Sequence, residues 1–307
     1  MKKKDLILLI LCLALAVFGA VQTAGYFSAQ QAAKQTDERL REMWHAEEAD
    51  EIPTLTPQPP AAGPARTPET PPGEPEETLL PVPKPEVPSS EQKEEKGTKL
   101  RRSMYPDNPG LAISERFRGL RKTNRDIIGW LSIGKMQDEA VTQRDNEFYM
   151  NHDASGKENI SGAVFLDENV SLRMRPYTLI LYGHNMRDES RFGWLRKYEN
   201  PDFYRKNLFI DFQTLYEDGR YVIFSEGTVS TEEGNANYLD FFELNSLRSD
   251  ERARAIGVLR DVSVLDSDID VRIDDQILVL VTCVDKETDR RVVAARRIRE
   301  DEDESQF

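Results

Sequence analysis

The chain is predicted to carry one mostly β domain, an antiparallel barrel or sandwich, in its C-terminal two thirds. Short runs rich in apolar and β-branched residues recur between residues 127 and 298, with turn residues between them. One of these runs, 277–282, is apolar at nearly every position, as a central strand buried on both faces would be. Roughly 200 C-terminal residues have the mixed composition of a single sizeable domain, and the chain before them does not.

Taken from the N-terminus, Lys2, Lys3 and Lys4 precede a nearly unbroken apolar run over 6–24. As a helix this run spans roughly 28 Å, close to the thickness of a bilayer core. Residues 1–27 are therefore expected to be cytoplasmic lysines and a single-pass signal anchor. The positive-inside bias puts the N-terminus in the cytoplasm and the rest of the chain outside it. The rival is a cleaved signal peptide ending near Ala20 or Ala24, and the length of the run favours the uncleaved anchor. Cys12 lies within the run and reads as a buried hydrophobe.

Residues 28–104 read as a stalk. The stretch 30–48 is polar and helix-compatible, with Ala32, Ala33, Leu40 and Met43 too sparse for a core. From 53 to 88 the chain is dense in Pro, Glu and Thr, which keeps it extended at up to about 3 Å per residue. A spacer is preferred here over an SH3-type ligand.

The folded domain is expected over 105–300, with an acidic tail at 301–307. Ile113, Phe117 and Leu120 at helical spacing predict a short amphipathic helix that braces the domain. Strands are expected at 127–133, 163–166, 178–182, 208–212, 220–229, 262–265, 277–283 and 291–298. One helix, about 246–259, interrupts them, with Asp250 and Glu251 early and Arg252, Arg254 and Arg260 later, the order the helix dipole favours. The formal net charge of −14 argues against nucleic acid or an anionic membrane surface as the main partner. Two cysteines make no disulfide framework, so stability rests on an ordinary apolar core.

The chemistry concentrates at two strand ends. Tyr182-Gly183-His184-Asn185-Met186 closes one run, and Val281-Thr282-Cys283 closes another about a hundred residues later. Cys283 is the only cysteine outside the N-terminal apolar stretch, so it has a histidine to work with and no disulfide partner. A free thiol of pKa about 8.5 is mostly protonated at neutral pH, and attack on a carbonyl needs the thiolate. An imidazole or cation must hold that thiolate and later protonate a leaving amine. Arginine or backbone amides then serve the oxyanion, and Arg290 opens the next run, 292–295. Taken singly, a buried cysteine is more often an inert hydrophobe and a histidine after a strand more often structural. His152 reads as a loop residue. Zinc at His152, His184 and Cys283 would lack a fourth ligand and any compact ligand pair, so no metal is expected.

Local sequence around each residue resembles the class B sortases. Asp145-Asn146-Glu147-Phe148-Tyr149-Met150-Asn151-His152 is similar to their Asp-Asn-x-x-Tyr-Leu-x-His stretch, and Gly162-Ala163-Val164-Phe165-Leu166-Asp167 to their Gly-x-x-Phe-Leu-Asp. Leu181-Tyr182-Gly183-His184-Asn185-Met186 matches their Tyr-Gly-His-Asn-Met, the most specific of these motifs. Val281-Thr282-Cys283 resembles the family's Thr-Cys strand end, and Arg290 stands before Arg-Val-Val-Ala-Ala as the family's arginine stands before its last strand. The likeness runs over 114–298. It implies a closed β-barrel of about eight strands with an N-terminal helix and one helix inserted before the last strands.

The resemblance also implies a cysteine transpeptidase: Cys283 as nucleophile, His184 as general acid/base, Arg290 as substrate and oxyanion stabiliser. Arg291 is the alternative arginine, and alternation along a strand lets only one of the two face Cys283. Tyr182, Asn185, Thr282 and Asp285 are the expected substrate-contacting residues, while Val281 stands where relatives often place a serine. The implied partners are secreted proteins bearing a C-terminal sorting signal, cut after its threonine, and a lipid-linked cell-wall precursor whose amine resolves the thioester. The membrane would be a partner through the N-terminal helix, and no cofactor is implied. A pilus-type sortase, a papain-type hydrolase and a non-catalytic wall-binding module are the alternatives. The papain type needs its cysteine at a helix start, whereas Cys283 follows a strand.

Overall fold

A computed structural model describes residues 3–50, 98–284 and 287–307. Its helices are α1 (Lys3–Asp50), α2 (Phe117–Thr123), α3 (Pro201–Lys206) and α4 (Ser249–Asp261). Its strands are β1 (Ile127–Ile133), β2 (Gln137–Thr142), β3 (Val164–Leu166), β4 (Thr178–Tyr182), β5 (Phe209–Thr214), β6 (Asp218–Ser230), β7 (Ile277–Cys283) and β8 (Asp289–Arg297). They close into one barrel in the order β1-β2-β3-β4-β7-β8-β6-β5, with β5 returning to β1. The pairs β2–β3 and β4–β7 are parallel, and the other pairs are antiparallel. The fold is thus the closed, mostly β barrel expected, with α2 at its N-terminal side and α4 before the last two strands.

The near-continuous apolar sequence of β7 has a direct cause. Leu278 and Leu280 point into the barrel, where they join Trp130, Leu179, Phe212 and Val293. Ile277, Val279 and Val281 point outward and are covered by Ala255, Ile256 and Leu259 of α4 and by Leu244. Both faces are dry, so alternation disappears. Arg252, one of the basic residues of α4, is fully buried. Its guanidinium donates to the carbonyls of Ile273 and Asp275 at 2.7 Å each and to Thr178 Oγ1 at 2.8 Å, which ties α4 to the starts of β4 and β7. Burial pulls its pKa down to about 10, so it stays charged at neutral pH.

Several expectations are corrected. Residues 262–265 form no strand. Val262 is the C-cap of α4, and the segment keeps only a single ladder-like bond, from Val264 N–H to Glu226 O at 2.8 Å. A strand absent from the sequence reading, β2, pairs along the whole of β1. The stretch 30–48 is not free of the core: Ala33, Leu40 and Trp44 are buried, and Trp44 stacks on Trp130 at 5.0 Å and 9°. Arg116 lies over the same indole at 3.8 Å. The acidic C-terminus is also packed, with Glu302 paired to Arg296 at 2.6 Å and Arg299 at 3.0 Å, and Glu304 to Arg220.

The single-pass membrane localisation is likewise corrected. Among the described residues no helix is long and apolar enough to cross a membrane. Thr23 turns its hydroxyl back onto Gly19 O, and from Ala33 onward one face of α1 is buried on the barrel rather than offered to lipid. The membrane as a partner through this helix falls with it. The Pro-rich segment 53–88 and the side chain of Cys12 lie outside the described residues.

Candidate active site

β4 and β7 run parallel in direct register, from Thr178 opposite Ile277 to Tyr182 opposite Val281. Parallel neighbours leave the barrel at the same rim, so the loop carrying His184 and the end carrying Cys283 emerge side by side. Cys283 is free and exposed. Together with His184, Tyr182 and Arg290 it lines a cavity of about 170 Å³, whose remaining wall includes Asn146, Met150 and Phe165.

The imidazole of His184 is held at one nitrogen. Nε2–H donates to the Met150 carbonyl at 2.7 Å, which places the neutral ring's proton on Nε2 and its lone pair on Nδ1. Gly162 packs against the ring. It adopts φ +59, and a Cβ there would lie 2.5 Å from Tyr149 O and 3.2 Å from His184 Cδ2. No side chain fits, which is the physical content of the glycine that opens Gly162–Asp167. Asn185 bridges the two loops, donating from Nδ2 to the Cys283 carbonyl at 3.0 Å. The residue expected to meet substrate therefore also pins the end of the cysteine strand.

The ladder distinguishes the two arginines. In β7–β8 Cys283 stands opposite Arg290, and Thr282 opposite Arg291. Cross-strand partners share a face, so Arg290 lies on the thiol's side. Its Nη1 donates to the carbonyls of Glu287 and Asp289, the latter at 2.9 Å, and the residue lines the cavity. Arg291 faces the other way and is engaged by Glu199 at 2.7 Å and by buried Glu226. Burial pushes the Glu226 carboxyl up and Arg291 opposes it.

The remaining expected residues divide. Tyr182 lines the cavity, its ring 5.5 Å from Phe165 and 6.5 Å from Phe241. Burial and the Asp167 carboxylate push its pKa well above the usual phenol value, which keeps the hydroxyl protonated at neutral pH. The Thr282 side chain shares the face of Arg291, is 3% exposed, and has no hydrogen-bond partner at Oγ1 among the described residues. Asp285 lies outside the described residues. His152 sits apart, its Nδ1 on Phe148 O at 2.8 Å and its ring stacked on Phe148 at 3.8 Å. Among the described residues no cluster of three or more His, Cys, Asp or Glu side chains has the geometry of a metal site. Met150 as the partner of His184 was not singled out from the sequence, because a backbone acceptor leaves no mark on residue type.

No protein-family model matches the chain. Sortase B of Staphylococcus aureus is 29% identical to it over 190 residues, covering 61% of this chain and 75% of that protein. Sortase B of Listeria monocytogenes is 26% identical over 191 residues, with the same 61% and 75% coverage. Among solved structures, a Staphylococcus aureus sortase B–substrate complex is 28% identical with a TM-score of 0.54, covering 62% of this chain and 87% of that one.

Proposed function

Because the chain belongs to the class B sortases and is a cysteine transpeptidase, we propose that Cys283 is its nucleophile, His184 its general acid/base and Arg290 the cation that stabilises substrate and oxyanion. The observation that supports this most is the meeting of thiol, imidazole and guanidinium at one barrel rim around a single cavity. The Cys283 thiolate attacks the peptide carbonyl after the threonine of a C-terminal sorting signal. The carbonyl oxygen takes the negative charge beside Arg290, and two kinds of donor, guanidinium and backbone amide, suit it. As the tetrahedral adduct collapses, the C–N bond breaks and the imidazolium gives its proton to the departing amine. With Nε2–H committed to Met150 O, Nδ1 carries that proton traffic. An acceptor amine then adds to the thioester, loses its proton to the imidazole and expels the thiolate.

The acceptor fitting this chemistry is the amine of a cell-wall precursor, with a pilin lysine as the second reading. A solved relative is a sortase B–substrate complex, which supports a substrate-binding role for this chain. Labelling with a thiol-selective electrophile and single-turnover acylation by a library of sorting peptides test the proposal. Cys283→Ala should lose both adduct and product while keeping the parent's far-UV spectrum, since it removes the sulfur and little volume. Thioester formation or product release by this variant would sink the assignment.

A further inference from the structure

We propose that Arg191 is a positioning residue for the His184 imidazole, and that α1, through Asp37, is the outer half of the brace that holds it. The inference rests on the reading of His184 as the general acid/base and goes beyond it, because α1 is remote in sequence from every residue of the cavity.

His184 and Arg191 are two ends of one closed loop. Asn185 and Arg191 form an isolated antiparallel bridge, and Phe192 N–H donates to His184 O at 3.0 Å. Arg191 itself adopts φ +52, a left-handed conformation uncommon for a side chain of its size, which turns the guanidinium back under the loop. There its Nε–H donates to Gly162 O at 3.0 Å. Gly162 is the backbone packed against the His184 ring, and Ala163 N–H bonds Tyr149 O, one residue before the Met150 carbonyl that receives Nε2–H. Arg191 thus holds both the loop bearing the imidazole and the wall against which the ring lies.

On its outer side Arg191 is equally committed. Nη1 pairs with Asp37 of α1 at 2.9 Å and with Glu139 of β2. Glu139 is bonded by Gln137, which in turn receives the Trp194 indole N–H at 2.6 Å. Arg191 is 5% exposed and Glu139 7%. Buried ion groups of this kind are weak contributors to stability, because desolvation offsets their attraction. Their distinguishing property is a fixed geometry, and here that geometry ends at the imidazole. Lys34 with Asp188 at 3.5 Å, and Asn159 Nδ2 on Ala29 O at 2.7 Å, seat α1 on the same two loops.

The test uses the full chain and two substitutions. Arg191→Lys keeps a charge for Asp37 and Glu139 but loses the planar fork that reaches Gly162 O. Asp37→Asn removes the helix-borne charge and keeps its shape. Single-turnover acylation at saturating sorting peptide should fall about tenfold or more for Arg191→Lys and about threefold for Asp37→Asn, with KM within about twofold in both. The imidazole Nε2–H resonance of His184, assigned by its loss in His184→Gln, should broaden or shift in both variants. Rates within about twofold of the parent, losses confined to KM, or an unmoved imidazole resonance would each overturn the proposal. If Arg191→Lys does not fold, Asp37→Asn, which sits at the edge of the cluster, decides alone by the same readouts. Full activity in His184→Gln would sink the acid/base reading instead, and the resonance would still report on the brace.

Discussion

Replacing Trp44 by alanine removes the aromatic wedge by which α1 grips the barrel. The indole is 2% exposed, stacked on Trp130 at 5.0 Å, tilted against Phe117 at 5.1 Å and capped by Arg116. A fully buried indole removes roughly 150–250 Å² from water. At about 25 cal/mol/Å² this is about 4–6 kcal/mol, an upper bound because the unfolded chain already hides part of it. Truncations of buried Trp to Ala generally cost about 3–5 kcal/mol. Alanine returns about half a kcal/mol through its better helix propensity, so the net expectation is a loss of about 3–4 kcal/mol. Against a total stability of about 5–15 kcal/mol this is a large fraction. Urea unfolding followed by far-UV circular dichroism measures it, and a separate early transition would mean that α1 undocks before the barrel melts. A loss below about 1 kcal/mol in a single transition would refute the reasoning, because it would mean that the indole contributes nothing there in solution.

Three further outcomes follow from the same geometry. Arg290→Ala should lower single-turnover acylation by roughly 100-fold or more, as loss of an oxyanion donor does, while Arg291→Ala should leave the rate nearly intact and cost stability by stranding Glu226; the reverse order of rates would mean that the register of β8 at the thiol is wrong. Burial pushes the Glu139 carboxyl up from 4.5 to about 7, with Arg191 opposing and Asp37 reinforcing. The folded protein therefore binds that proton more tightly than the unfolded chain, and stability falls as pH rises from 4.5 towards 7, by at most about 1.4 kcal/mol per pH unit. Urea midpoints of the parent and Glu139→Gln at pH 5, 6 and 7 should diverge accordingly, and parallel curves would count against the assignment. Removal of residues 1–100 uncovers Trp130, Phe117 and Arg191 together, so it should lower the thermal midpoint further than Trp44→Ala does; an unchanged midpoint would show that α1 adds nothing.

The strands that deliver the site were readable because each is apolar for a simple reason. β1, β4 and β7 run as expected from Ile127, Thr178 and Ile277, their β-branched residues being buried on at least one face. β2 was hidden because Gln137, Asp138 and Glu139 look like a loop. All three are spent on tertiary partners, Trp194, Trp130 and Arg191, and such pairing leaves no periodic signal. Leu40, read with Ala32, Ala33 and Met43 as too sparse for a core, and Trp44, not singled out at all, escape notice for a related reason. Two apolar residues at helical spacing do not make a core until Trp130 and Phe117 are known to lie opposite. In the site, residue types revealed thiol, imidazole and guanidinium, but the choice between Arg290 and Arg291 needed the ladder. The acceptors of His184 and Asn185 are the backbone carbonyls of Met150 and Cys283, which residue types do not spell out.

The parallel pairing of β4 with β7 also governs when the protein becomes reactive. Thr178 and Ile277 are hydrogen-bonding neighbours separated by about a hundred residues of chain, and that loop must close before either strand gains from the other. Hairpins such as β1–β2 and β5–β6 need only short-range closure and can form early. Non-local pairings of this kind raise contact order and slow folding. The imidazole and the thiol therefore meet only once β4 and β7 have paired. A chain in which that pairing has not formed carries both groups without bringing them together, so its cysteine behaves there as an ordinary thiol.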